Sequence, residues 1–349
     1  MLPILTSRWA LSDNQAGRLF PTQFLSQLAG VLLSGFIVAR LGFRAVFLGG
    51  LLLMAAGVGT LYLGSPALGM VSVAVYGLGL GLVIPTDNLM IAEVSIGSRA
   101  AAVSLLNFFW GVGAVLCSLL VAWAQSHQMV PAFLGAVALS LFVLALALRN
   151  LPFPGPRKPT DTPIPWRAIA RNPITWLFAC AFFLYPGTET AVGGWIGSFA
   201  TRLGSHQVSM GAMMPAFFYA ALTLGRGVAG SLLKRLPEQR VLQAGYGVAV
   251  LGIGFLLRTT TLSGVIASAV ITGISFAAVY PITVARLSHR FGVAARSIGA
   301  VMFSIAALGP AMLPWVVGAV SQASGSLRAG LAVPFIATVV LFVIHLKEW

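Results

Sequence analysis

A single carboxyl group, Glu189, lies in the middle of a long apolar stretch between Pro173 and Ala200. It follows the start of that stretch by about 16 residues, so in a helix it would lie roughly 24 Å along the axis at ~1.5 Å per residue. A carboxyl at the centre of a bilayer costs roughly 2.5–3.5 kcal/mol and therefore faces a cavity or a partner. Two interpretations stay open: a protonatable group that couples a proton or binds solute hydroxyls, or a permanently protonated group hydrogen-bonded between helices.

The residues just before Glu189 would disturb a helix. Pro186 has no backbone N–H to donate and Gly187 weakens the helix, so a bend or a break is predicted there. Discontinuous helices are typical of solute-binding sites in membrane carriers. Tyr185 directly precedes the predicted break and is therefore a candidate binding residue.

Amide and aromatic side chains provide further candidate contacts. Gln23 and Gln27 are spaced i, i+4 and share one helix face, as do Asn107 and Trp110 at i, i+3. Such a set suits a neutral polyol or sugar, through stacking and bidentate hydrogen bonds. The same residue types also anchor membrane interfaces and join helices, so a purely structural role stays open. The other rings of the set are Tyr185, Trp195, Tyr219, Tyr280 and Trp315.

The composition is that of a protein that crosses a membrane many times. Hydrophobic residues make up 58% of the chain and charged residues only 8%, with a mean hydropathy of +0.94. The net charge of +14 comes from Lys and Arg between apolar segments, with no basic face for nucleic acid. No HExxH, GxSxG or phosphate-binding Gly-Lys-Ser/Thr pattern stands in a plausible site, so no enzyme activity, cofactor or metal is expected.

Apolar segments of about 20 residues, the length that spans a bilayer, recur along the chain. The connection at 150–172 is rich in proline and basic residues. It predicts an N-terminal bundle of five helices at 1–150, a cytoplasmic linker at 151–172 and a C-terminal bundle of six helices at 173–349. The predicted spans are 17–39, 44–63, 67–92, 99–125, 130–149, 173–200, 207–233, 240–258, 262–285, 295–321 and 328–346.

Lys and Arg are concentrated on one side of these spans, the side that bears the linker and Lys347. Because basic residues are retained in the cytoplasm, this bias predicts a cytoplasmic linker and C-terminus in an inner, cytoplasmic membrane. The lipid bilayer is then the main partner, and a monomer is expected. The N-terminus as written would lie outside.

The two halves of the chain repeat one another weakly. Only seven residues precede Arg8, whereas the whole apolar stretch with Glu189 precedes its counterpart Arg202. A weak internal repeat in an apolar chain is typical of secondary transporters built from duplicated bundles. The comparison predicts that the first helix of the first bundle is missing, either from the protein or because the start is misplaced. The recurring pairs include Arg8 and Arg202, Gly17 and Gly211, Gly35 and Gly230, and Arg40 and Arg235.

The loop between the first two predicted spans carries the sequence from Gly35 to Arg44, with Arg40 and Gly42 inside it. This sequence resembles the short cytoplasmic loop signature of the major facilitator superfamily, and Gly230 to Arg240 lies where that family has its second copy. The resemblance implies an all-α integral membrane fold of two pseudo-symmetric bundles, here with about eleven of the usual twelve transmembrane helices.

By the same resemblance, charged and glycine residues form a gate at the cytoplasmic side. Ala39 replaces the aspartate of the signature, which weakens one contact of that gate. Arg226 lies about seven residues from the end of its span, which favours a gate or packing role over solute contact. Asp87 stays open between gate and cavity. The predicted set is Gly35, Arg40, Gly42, Arg44, Asp87, Glu93, Arg99, Arg226 and Arg235.

Several stretches look more narrowly like the fucose-permease-like branch of sugar:proton symporters, among them Pro85 to Asn88, Asn107 to Gly111 and Tyr185 to Glu189. The expected function is secondary transport of a small neutral polar solute, with a sugar as the leading substrate and protons as the coupling ion. Two alternatives stay open: a transport-inactive scaffold or sensor, because a cavity-lining helix is missing, and a multidrug efflux transporter.

Overall fold

The computed structural model describes residues 1–94, 99–153, 171–205, 207–291 and 295–347. Within these residues all regular secondary structure is helical, which confirms the predicted all-α membrane fold. One turn of π-helix, Thr201–Ser205, follows α7. The α-helices are α1 (Leu2–Trp9), α2 (Asp13–Gly17), α3 (Leu19–Thr60), α4 (Pro66–Val94), α5 (Arg99–Ser126), α6 (Val130–Leu148), α7 (Pro173–Ala200), α8 (Val208–Leu233), α9 (Glu238–Arg258), α10 (Leu262–Phe276), α11 (Val279–Phe291), α12 (Ala295–Ser324), α13 (Leu327–Gly330) and α14 (Ala332–His345).

Nine helical segments of the described chain are long and apolar enough to cross a membrane. One of them, Asp13–Thr60, has 48 residues, or ~72 Å at ~1.5 Å per residue, more than twice the ~30 Å hydrocarbon core. It is interrupted at Gly42, whose φ of 80° and ψ of 173° are not helical, and so provides two spans. The 28-residue α7 is also long enough to cross but carries polar residues midway. With these two additions the number is eleven, as predicted.

Local sequence explains where several helices begin. Ser12 and Gln15 form a capping box at the start of α2, in which each side chain bonds the backbone N–H of the other residue. At α7, Oδ1 of Asn172 accepts from the N–H of Ile174 at 3.0 Å, and Pro173 occupies the first helical position. These caps fix the start of the two helices that carry the polar groups described below.

The described residues fall into two compact units, and neither is a continuous run of sequence. The first unit contains Met1–Arg18, Gly111–Gln125 and the described part of Thr162–Trp349; the second contains Leu19–Trp110 and the described part of Ser126–Asp161. Residues 154–170, most of the predicted linker, lie outside the described residues. The domain boundaries at 150 and 172 therefore stay a prediction.

In the first unit α7 is the central helix. It packs against α8, α10, α11, α12 and α14, and 17 of its residues are buried. An apolar cluster of Phe178 and Phe182 from α7 with Leu287, Ile298 and Met302 fills one end of this unit. Glu189 is thus held on a rigid element with neighbours on several sides.

In the second unit α3 and α4 form the main contact. Val38, Phe43, Val46 and Leu82 form its apolar core close to the kink at Gly42. Beside this core, Nη2 of Arg44 donates to the carbonyl of Leu151 at 2.7 Å.

One half of a local prediction was wrong. Of the bend or break predicted at Pro186, the break is absent, because α7 runs without interruption from Pro173 to Ala200; the bend stays a prediction. A proline leaves the carbonyl four residues before it without its helical N–H partner. Neighbouring helices can satisfy that carbonyl, so a membrane helix can continue through a proline. In the described part of this unit, a short interruption lies instead between α10 and α11, at residues 277–278 of the segment Leu262–Phe291.

Candidate functional site

Tyr185 and Glu189 are spaced i, i+4 and therefore share one face of α7. The Tyr185 hydroxyl lies 2.7 Å from Oε2 of Glu189, a hydrogen-bond distance. Tyr185 is buried, with 3% of its surface exposed, whereas Glu189 is half-buried. The carboxyl predicted from sequence thus has a direct partner within its own helix.

A second acceptor lies near the same hydroxyl. The carbonyl oxygen of Phe276, the last residue of α10, is 3.1 Å from the Tyr185 hydroxyl oxygen. The Tyr185 ring meets the ring of Phe276 edge-on, with centroids 5.3 Å apart, and stacks on Tyr280 of α11 at 6.2 Å. Rings on two other helices therefore hold the hydroxyl between the carboxyl and the helix end.

Other titratable groups surround Glu189. Tyr219 and Arg226 of α8 and Tyr280 of α11 all interact electrostatically with it. No ion pair joins Arg226 to Glu189 among the described residues. The site therefore combines one carboxyl, three tyrosine hydroxyls and a more distant cation. The described residues contain no group of His, Cys, Asp or Glu that could hold a metal ion.

Two glycines allow α7 and α12 to touch beside the carboxyl. A side chain at Gly187 would collide with the backbone of Gly309, and one at Gly309 would collide with the carbonyl of Phe183. Gly187 precedes Glu189 by two residues. The position of the carboxyl is thus tied to a backbone-to-backbone crossing.

Trp195, another predicted contact, lies six residues beyond Glu189 on α7. Its side chain is buried, with 1% of its surface exposed, and its Nε1 donates to the carbonyl of Pro314 at 2.8 Å. Its indole N–H is therefore used in joining α7 to α12. Its predicted role toward a solute stays a prediction.

The remaining candidate contacts belong to the second unit. Gln23 and Gln27 lie on α3, where their backbone carbonyls face Gly77 and Gly81 of α4 so closely that no side chain would fit at those glycines. Asn107 and Trp110 lie on α5 and are exposed, Trp110 to 51%. The first unit thus brings together Tyr185, Glu189 and Tyr280 of the predicted set.

Among the predicted gate residues, four lie around the kink of α3. Gly42 forms the kink, Arg40 lies over the Phe36 ring at 4.1 Å, and Arg44 lies over the Phe153 ring at 5.7 Å. Gly35 faces open space. The kink lies between the predicted spans 17–39 and 44–63, at the position of the loop signature.

The other gate residues are more scattered. Asp87 is half-buried on α4 without a hydrogen bond or ion pair to any side chain that the structure describes. Arg226 is half-buried on α8, and Arg235 is exposed beyond its end. The side chains of Glu93 and Arg99 lie outside the described residues, so their gate role stays a prediction.

Sequence reasoning missed one polar cluster. The guanidinium of Arg202 donates to both carboxylate oxygens of Asp13, and Ser321 of α12 donates to the same carboxylate. Next to it, Nε1 of Trp315 donates to Oδ1 of Asn14 at 3.1 Å. The only sequence signal was the capping pattern at Ser12, which places Asp13 at the start of a helix. The pairing spans 189 and more residues along the chain, a separation that no local pattern reveals.

Comparisons with known proteins agree on one family. Residues 1–314 match the family model of the Major Facilitator Superfamily. A curated relative, an uncharacterized MFS-type transporter of Yersinia pestis, is 23% identical over 328 residues, which cover 93% of this chain and 84% of the relative.

Solved structures resemble this one over almost its whole length. A mutant of the nucleoside transporter NupG has a TM-score of 0.81 at 13% identity, covering 99% of this chain and 93% of that one. A bacterial homologue of the lysosomal transporter Spinster, in an inward-facing and occupied conformation, has a TM-score of 0.79 at 15% identity and covers 99% and 90%. A mutant of the Escherichia coli fucose:proton symporter FucP has a TM-score of 0.59 at 19% identity, covering 100% of this chain and 98% of that one. At these low identities, the TM-scores establish a shared fold and no more.

Proposed function

Because the chain belongs to the Major Facilitator Superfamily, we propose that it is a secondary active transporter coupled to protons. Its cargo is a small neutral polar solute, with a sugar as the leading class, carried across the cytoplasmic membrane by alternating access. The solute crosses without chemical conversion. The observation that carries this proposal is the carboxyl of Glu189 on a membrane-spanning helix, hydrogen-bonded to Tyr185.

Glu189 can serve as the proton site for a physical reason. A carboxyl inside a membrane is costly when ionised, and such groups mark substrate pathways and proton relays in membrane carriers. The Tyr185 hydroxyl can donate to the ionised form and accept from the protonated form. Both charge states of Glu189 therefore have a partner, as a group that binds and releases protons requires.

The surrounding side chains favour a neutral polar solute. Tyr219 and Tyr280 bring aromatic faces and hydroxyls close to Glu189, and such groups stack on a sugar ring and bond its hydroxyls. Arg226 is the cation that interacts with Glu189 from α8, and one cation is too few for an inorganic anion site. The fucose:proton symporter among the similar structures supports the same solute class.

The proposed orientation follows from the basic residues. The linker and Lys347 lie on the cytoplasmic side of an inner membrane, since that side bears most Lys and Arg. The proposed domains are an N-terminal bundle to residue 150, a linker at 151–172 and a C-terminal bundle from residue 173.

The test is transport by the purified protein in liposomes. A panel of labelled sugars is offered outside, with an inward proton gradient imposed and a protonophore added in parallel. We expect accumulation of at least one sugar that the protonophore abolishes, and none in empty liposomes. Downhill sugar movement that the protonophore does not change would contradict the proposed coupling to protons. If no sugar moved, the proposed solute class would be wrong.

A further inference from the structure

The Tyr185 hydroxyl faces two acceptors but carries one proton. It lies 2.7 Å from Oε2 of Glu189 and 3.1 Å from the carbonyl oxygen of Phe276. The carbonyl can only accept, and a tyrosine hydroxyl donates one hydrogen bond. Both contacts are therefore full hydrogen bonds only when Glu189 is protonated and donates to the tyrosine oxygen. When Glu189 is ionised, its carboxylate is a stronger acceptor than the Phe276 carbonyl, so the tyrosine hydroxyl donates to the carboxylate.

We propose that Tyr185 transmits the protonation state of Glu189 to the end of α10, by turning its hydroxyl from the carboxylate of Glu189 to the carbonyl of Phe276 when the carboxyl takes up a proton. No covalent bond of Tyr185 breaks in this step. The proton arrives on Glu189, the acid O–H donates to the tyrosine oxygen, and the tyrosine O–H rotates. The inference rests on the proposed function, since it requires that Glu189 binds and releases a proton.

The packing leaves rotation of the O–H as the free motion. The Tyr185 ring is buried, stacks on Tyr280 and meets Phe276 edge-on, so the ring itself stays in place. A fixed ring and a rotating hydroxyl together make a two-position relay. Each position is defined by an acceptor already within reach.

The receiving end is a place where a single hydrogen bond matters. Phe276 ends α10, and carbonyls in the last turn of a helix have no N–H partner within the helix. The break at 277–278 follows directly, and Pro281 one turn later has no N–H to donate. Loss of the tyrosine donor therefore leaves a buried helix end short of a partner, next to the interruption between α10 and α11.

Other titratable groups near Glu189 do not offer the same connection. Tyr219 and Arg226 on α8 and Tyr280 on α11 interact with Glu189 electrostatically. Among the other helices packed on α7, α1 carries Arg8 and the N-terminus, α10 has no titratable residue, and those of α12 and α14 (Arg296 and His345) lie at helix ends. The second half of α11 adds Arg286, His289 and Arg290, and Tyr246 of α9 interacts electrostatically with Tyr185. In the described part of the chain, the hydrogen bonds of Tyr185 are the direct link between the carboxyl and a helix end.

The experiment is infrared difference spectroscopy of the whole protein in lipid, acid minus alkaline. In the wild type we expect a C=O band of a protonated carboxyl, together with a change in a tyrosine C–O band over the same pH range. Glu189→Gln should lose the Glu189 part of the carboxyl band, to which the other carboxyls of the chain also contribute, and the whole tyrosine change. Tyr185→Phe keeps the ring packing and should keep the carboxyl band at a shifted frequency while losing the tyrosine change. Tyr62→Phe, which removes a hydroxyl just beyond α3 in the second unit, should alter neither band.

The outcomes separate the two proposals. A carboxyl band in Tyr185→Phe at the wild-type frequency would overturn the relay and leave the proton site intact. A carboxyl band of undiminished intensity in Glu189→Gln would overturn the proton site itself, and the relay with it. Should Tyr185→Phe not fold, fluorotyrosine at position 185 keeps the hydroxyl and makes it more acidic. The two bands should then shift together, and a carboxyl band that does not move would contradict the relay.

Discussion

Gly187 of α7 and Gly309 of α12 lie in backbone-to-backbone contact. Gly187 precedes Glu189 by two residues on the same helix. Since no Cβ fits at either position, the two helices approach as closely as their backbones allow. Close crossings of this kind need small residues in membrane proteins. The crossing fixes the position of the Glu189 carboxyl in the bundle. We therefore expect that disrupting the crossing lowers both the stability of the protein and its transport rate.

Replacing Gly309 by valine should destabilise the protein. The new side chain would collide with the carbonyl of Phe183 and the amide of Gly187, and overpacking of this kind costs about 1–3 kcal/mol. The thermal unfolding midpoint in detergent measures the effect. Gly227→Val on α8 is the matched control, because a Cβ there meets nothing within 4 Å. Equal midpoints for the two variants would contradict the close crossing.

The kink of α3 should depend on Gly42. Its φ of 80° and ψ of 173° lie in a region that is essentially restricted to glycine, and holding another residue there costs of order 1–3 kcal/mol. Gly42→Ala should therefore lower the unfolding midpoint. Gly35→Ala, at a helical position that faces open space on the same helix, should not. If Gly42→Ala left the unfolding midpoint unchanged, the chain would not adopt this kink.

Asp13 should hold α2 to the rest of the first unit. Its carboxylate accepts from Arg202 and Ser321, so Asp13→Asn removes the charge that strengthens both bonds. Because Arg202 is partly exposed, we expect a loss of about 1 kcal/mol. The measurement is the unfolding midpoint at low and at high salt. The difference between wild type and variant should shrink at high salt, and a difference that does not change would argue against an ionic contribution.

Trp195 offers a way to separate packing from solute binding. Trp195→Phe removes the N–H that bonds Pro314 and should cost about 1 kcal/mol of stability. Since that N–H is already used, the affinity for the transported solute should stay at the wild-type value. Isothermal titration of solute against both proteins checks this. A large loss of affinity at unchanged stability would assign Trp195 to the solute instead.

Much of the fold could be predicted from local sequence. The bounds of α4, α6 and α7 agree with the predicted spans to within a few residues, because span length and charged loops are properties of the chain itself. The break at Gly42 coincides with the predicted loop signature for the same reason.

The site was predictable only in part. Glu189 was apparent as an isolated carboxyl, and Tyr185 as its i, i+4 neighbour lies on the same face. The contact of Tyr185 with Phe276 joins residues 91 apart, and only the packing of three helices brings it about. The break predicted at Pro186 was wrong for a related reason: the enclosing helices, rather than the local sequence, decide whether α7 continues through it.

The most direct test of the account compares Glu189→Gln with wild type in liposomes, using the sugar that the wild type accumulates. The glutamine side chain of this variant cannot ionise, and its amide donates as the protonated acid would, so exchange of solute at equal concentrations should continue while accumulation driven by a proton gradient is lost. Glu238→Gln, the same change at the half-buried start of α9, where the carboxylate lies 3.9 Å from Arg286, should keep both activities. Accumulation by Glu189→Gln at the wild-type level, still abolished by a protonophore, would contradict the account.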